Sequence, residues 1–120
     1  MYYHGLTKGP IKGKPVTPFF FTSEEMVARA YGPVVNVGFF TKKPLILDSP
    51  ASFEEAWNEG GSDLGYMMHP DKTSRFTSWA IKKGYDTIVI TPNAFKGFNK
   101  AYFTVGNPQV IALKDNVWIG

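Results

Sequence analysis

Apolar residues in this chain come in short runs, each closed within a few residues by proline, glycine or a charged turn, and that spacing limits the fold more than any other feature. Tyr2 to Gly5, Phe19 to Thr22, Val34 to Phe40, Pro44 to Leu47, Thr87 to Thr91, Tyr102 to Val105 and Val110 to Leu113 read as strands, with Val117-Trp118-Ile119 a further candidate. Lys8 to Pro18, with three prolines and two glycines, reads as an irregular loop because proline removes backbone donors.

Helices fit only between these runs. Ser23 is placed to cap one that starts at Glu24-Glu25-Met26, on which Met26, Val27, Ala30 and Tyr31 share a face and Gly32-Pro33 stops the chain. After the turn Asp48-Ser49-Pro50, Ser52 is placed to cap a second helix that presents Phe53, Ala56 and Trp57 and ends at Glu59-Gly60-Gly61. A third is expected from Ser74 to Lys83, burying Phe76, Trp79 and Ala80 and closed by Gly84 in the left-handed conformation. Strands scattered among short helices, with irregular connections, predict an α+β sheet protein rather than a doubly wound one.

The chain's 120 residues suit one domain, residues 1–120, which buries roughly two thirds of its unfolded surface. Apolar residues make up 43% and aromatics 16%, a globular composition. No stretch approaches the length of a membrane span, and the N-terminus lacks the pattern of a signal peptide, so a cytoplasmic location is expected. There is no cysteine, which excludes disulfides, catalytic thiols and thiolate zinc sites and leaves His4 and His69 as the only soft nitrogen ligands; no metal is expected. The net charge is +3, with Lys8, Lys12, Lys14, Lys42 and Lys43 near turns, more simply a solvated surface than a phosphate-binding patch. A nucleotide or protein partner is compatible with this, and duplex DNA binding is not indicated.

Five blocks in order resemble a known family. They are Tyr3-His4-Gly5-Leu6-Thr7, then Phe20-Phe21-Thr22-Ser23 with Val27-Ala28-Arg29-Ala30-Tyr31-Gly32, then Lys43-Pro44-Leu45-Ile46-Leu47-Asp48, then Lys83-Gly84-Tyr85-Asp86-Thr87-Ile88-Val89-Ile90, and last Ala101 to Ile111. Together they look like the ADP-ribosyltransferase superfamily, in particular small domains of its histidine-tyrosine-glutamate branch found in phage and other mobile-element proteins and distantly similar to the poly-ADP-ribose polymerases. The resemblance spans nearly the whole chain. It implies a split, mainly antiparallel sheet with NAD+ in the cleft between its halves and transfer of ADP-ribose to a macromolecular acceptor without a metal. With the chain's size, it also implies a free-standing phage effector acting on a host protein in the host cytoplasm.

The resemblance assigns roles to particular residues. His4 would bond ribose hydroxyls of NAD+, and the backbone of Gly5 would pair with the nicotinamide amide, glycine fitting because a side chain would hold the ligand away. Tyr31 would stack on nicotinamide, and the alternative is core packing with Val27. Thr22 and Ser23 would shape the cleft, although Ser23 is also explained as a helix cap. Asn99 matches a position that contacts the acceptor, in a recognition loop from Phe95 to Lys100.

At the third motif the chain departs from the family. Ala101 stands where the resemblance expects the catalytic glutamate, whose carboxylate grips a ribose hydroxyl and supports the cation formed as nicotinamide leaves. Losing such an electrostatic contact costs about 10²- to 10³-fold in rate, so the chain as written is expected to be impaired. Three accounts stand: a substitution made to inactivate the enzyme, a natural pseudoenzyme that binds NAD+ or a protein, or a shifted register in which Asp86 or Asp115 serves.

Overall fold

The computed structural model describes residues 1–60, 70–96 and 109–120, without the side chains of 70–74 and 95. The strands are β1 (Tyr2–Gly5), β2 (Phe19–Phe21), β3 (Val34–Phe39), β4 (Pro44–Leu47), β5 (Thr87–Ile90), β6 (Gln109–Ala112) and β7 (Val117–Ile119). The helices are α1 (Glu25–Arg29), α2 (Pro50–Glu59) and α3 (Pro70–Lys82), and a 3-10 turn runs Pro92–Phe95. His69, Asn99, Ala101, the strand expected at Tyr102 to Val105 and the acceptor loop beyond Lys96 lie outside the described residues.

The α+β class holds, with mainly antiparallel sheets and short helices. One sheet has the order β1-β3-β7 and is antiparallel throughout; the other has the order β2-β6-β5-β4, with β4 and β5 parallel. A parallel pair needs a crossover, and α2 and α3 supply it between β4 and β5.

Alternation along β5 and β6 makes the second sheet the middle layer. Ile88, Ile90 and Ile111 join Leu47, Phe53, Ala56, Trp57, Phe76 and Ala80 in a core against the helices. Val110, Ala112, Phe19 and Phe21 join Val37 and Val117 in a second core against the inner face of the first sheet, with Val89, Tyr2, Phe39 and Ile119 packed around it. Strands buried on both faces read as continuous apolar runs, which is why Thr87–Ile90 shows no polar alternation.

Asn116, 2% exposed, stitches the layers together: its amide donates to the carbonyls of Phe40 and Asp86 and to the Thr87 hydroxyl, and its side-chain oxygen accepts from Lys114 N–H. Asp86 clamps the turn before β4, accepting from the Thr41 hydroxyl and from the Lys42 and Lys43 amides. Burial alone would raise its pKa, but these donors, with the Thr87 hydroxyl, hold it below the ordinary value.

Three local expectations are corrected. Ser23 does not cap α1: Glu24 is the N-cap residue and makes no side-chain cap bond, while the Thr22 hydroxyl accepts from Glu24 N–H. Ser49, not Ser52, caps α2, with Ser52 as its reciprocal partner three residues on. The apolar face expected on α1 is not the buried one; Ala28 is buried, whereas Met26 is 76% and Tyr31 54% exposed. By contrast, α2 buries Phe53, Ala56 and Trp57 as read, Phe76 and Ala80 are buried on α3, and Gly84 takes φ 90° after it.

Candidate functional site

The two sheets touch through backbone at one pair among the described residues. Tyr3 N–H donates to the Thr22 carbonyl at 2.7 Å and Thr22 N–H to the Tyr3 carbonyl at 2.9 Å. The bridge is antiparallel, so after Tyr3 β1 runs back past Phe21 and Phe20, His4 reaching the Phe20 carbonyl, and the two strands part without a further backbone pair among the described residues.

Antiparallel alternation fixes where each backbone group points. Asn36 and Phe40 of the β3 region bond Gly120 and Asn116, which flank β7, so Val35 and Val37 face β1 and pair with His4 and Tyr2. Tyr3 and Gly5 therefore point the other way, towards the side on which β2 departs. Gly5 N–H meets no acceptor among the described residues; its carbonyl accepts from Thr7 N–H at 3.0 Å and keeps a second lone pair. Gly5 itself is buried, with its amide donor and carbonyl acceptor side by side on the edge of β1 that faces away from β3.

Gly5 is also required by packing. A Cβ there would overlap the Ala28 carbonyl oxygen and meet the Tyr31 Cβ at 2.9 Å. This close approach of α1 seats Tyr31 directly beside Gly5, half-exposed rather than in the core. The glycine expected on ligand grounds therefore has a sufficient structural cause as well.

His4 sits half-buried on the inner face, its ring centroid 4.2 Å from that of Phe19. Its Nδ1 lies 2.6 Å from the Phe20 carbonyl oxygen. A carbonyl only accepts, so Nδ1 carries the proton and Nε2 of the neutral ring is left as an acceptor suited to a hydroxyl donor. Sequence reading placed His4 at the strand end; the tautomer depends on a contact 16 residues away and has no local signal.

Thr22 is buried at the bridge, with its hydroxyl turned to α1, while Ser23 is exposed. Gln109 opens β6 next to Val110, the partner of Phe21, so β6 begins at the end of the second sheet where Thr22 stands. Thr87 pairs with Ala112, which puts Asp86 at the opposite end. Asp86 already binds the 41–43 turn through both oxygens, and Asp115 accepts from the Thr17 hydroxyl at 3.4 Å.

Among the described residues no cluster of three or more histidine, aspartate or glutamate side chains is arranged to hold a metal, and no helix is long and apolar enough to cross a membrane. No family model, curated protein or solved structure matches the chain.

Proposed function

We propose that the divergence of β1 and β2 is a nicotinamide-ribose site and that the chain is built on the framework of an NAD+-dependent mono-ADP-ribosyltransferase acting on a macromolecular acceptor. The observation that carries this reading is Gly5, whose N–H and C=O point away from β3 at a position that follows His4 in the chain and is approached by Tyr31. A carboxamide has one acceptor and two donor hydrogens, the complement of that pair. In this reading Tyr31 lies against the nicotinamide ring and His4 Nε2 accepts from a ribose hydroxyl.

In the reaction the bond from ribose C1′ to the nicotinamide nitrogen breaks with its electron pair leaving on nicotinamide, and an acceptor heteroatom bonds C1′ and releases its proton. Positioning the two ends of NAD+ supplies part of the acceleration; the rest requires charge stabilisation that alanine at 101 does not offer. As written, the chain therefore holds NAD+ more readily than it turns it over, and a non-catalytic NAD+- or protein-binding module on the same framework is the second reading. A phage effector that acts on a host protein in the host cytoplasm suits either.

Calorimetric titration tests the binding. The chain should bind NAD+ or nicotinamide, and His4→Ala should weaken NAD+ by about tenfold or more, within the 1–3 kcal/mol that an unpaired buried polar group costs. An unchanged affinity would return His4 to a structural role on Phe19 and Phe20.

A further inference from the structure

The outer face of the β1-β3-β7 sheet carries a second feature, distinct from the divergence at Gly5. Asn36, Gly38 and Phe40 lie on that face of the β3 strand and its extension, and Trp118 stands opposite Gly38. A Cβ at Gly38 would overlap the indole, so the absent side chain lets Trp118 settle over the strand. Trp118 remains 48% exposed and Phe40 55%, with ring centroids 6.5 Å apart and planes 32° from each other. Helix α1 covers this sheet at Gly5, whose partner Val34 is about 14 Å along β3 from Gly38 by strand rise.

Two lysines lie close to the pair along the chain. Lys42 follows Phe40 by two residues, and Lys114 precedes Asn116, whose amide holds the Phe40 carbonyl at 2.8 Å. Both lysines are exposed, and the ion pairs among the described residues are Arg29–Glu25 and Lys83–Glu59, so neither is neutralised there. Of the neighbouring acids, Asp86 faces the 41–43 turn and Asp115 the Thr17 hydroxyl, and both keep their charge. Lys43 is engaged too, donating to the Lys83 carbonyl at 3.3 Å and lying over the Tyr85 ring.

We infer that this face binds single-stranded nucleic acid, a base stacking on Trp118 and Phe40 while Lys42 and Lys114 meet the flanking phosphates. Exposed rings beside unpaired lysines are what a strand of bases joined by phosphates complements. A protein interface would need a broader apolar centre than two rings beside Asn36 and a glycine. Lysines, as point charges, give affinity without sequence preference.

The test uses the whole chain and a fluorescein-labelled twelve-nucleotide oligothymidylate, followed by anisotropy in low salt. Binding is expected, with Trp118→Ala weakening it roughly tenfold or more and Trp118→Phe retaining most of it. Lys42→Gln with Lys114→Gln should flatten the dependence of log K on log salt by about 1.4, since each phosphate contact to a single strand contributes about 0.7. NAD+ affinity should be unchanged in all three variants, which separates this face from the Gly5 site. If Trp118→Ala unfolds, as circular dichroism would show, the phenylalanine and glutamine variants carry the decision. No oligonucleotide binding, binding that the lysine pair leaves unaltered, tighter binding of polyglutamate, or dimerisation lost in Trp118→Ala would each overturn the inference.

Discussion

Ala101→Glu is expected to raise NAD+ hydrolysis or ADP-ribosyl transfer by at least about 10²-fold over the chain as written, the size of one recovered electrostatic contact in a transition state. The expectation rests on the resemblance, which puts the catalytic glutamate at 101. Affinity for NAD+ should change far less, because the carboxylate acts mainly as positive charge develops on the ribose. Rates for both chains, measured side by side with labelled NAD+, separate the accounts of Ala101. A large gain identifies alanine as the cause of inactivity; a folded but inert glutamate chain indicates a pseudoenzyme; comparable turnover in the alanine chain shows that another group does the work. Mass spectrometry of a host lysate incubated with the glutamate form would then reveal the acceptor.

Gly5→Ala should be the most damaging single methyl group in this region. The added Cβ meets a backbone carbonyl oxygen rather than a movable side chain, so β1 and α1 must separate. Overpacking of this kind costs about 3 kcal/mol, the upper part of its usual range. Displacing α1 also moves Tyr31, so NAD+ affinity should fall together with stability. Urea denaturation and an NAD+ titration on the same variant check both effects. A loss below about 0.5 kcal/mol, the usual size for a harmless surface change, would mean that α1 does not approach β1 as closely as described.

Much of the architecture was legible because local rules and tertiary context agree. Phe53, Ala56 and Trp57 recur at helical spacing and are buried on α2, and the apolar runs at β3, β4, β5 and β6 are strands within a residue of where they were read. Where neighbours decide, sequence reading fell short. Ser23 and Thr22 are both capping residues by type; the bridge from Thr22 to Tyr3 sets the backbone so that Thr22, not Ser23, reaches the first free amide. Tyr31 falls on an apolar stripe by periodicity, yet α1 is too short to bury one and presses only Ala28 onto β1. The parallel pairing of β4 with β5 and the bonds of Asn116 span about 30 to 76 residues, which no local pattern encodes.

The candidate site was legible in its parts and not in its geometry. His4, Gly5 and Tyr31 were singled out by resemblance, whereas the direction of the Gly5 amide follows from ladder alternation across three strands. The pairing of Trp118 with Phe40 had no sequence signal, since neither position is periodic with the other; only the β3-β7 register joins them.

The most direct check of the proposed site is a ¹H–¹⁵N chemical-shift titration of the labelled chain with nicotinamide and then with NAD+. The Gly5 amide should move downfield as it gains a carbonyl acceptor, accompanied by His4, Thr22 and Tyr31, with saturation by both ligands. If these resonances stay in place at millimolar NAD+, or if the shifts gather elsewhere on the molecule, the Gly5 amide does not receive the nicotinamide and the ADP-ribosyltransferase reading fails.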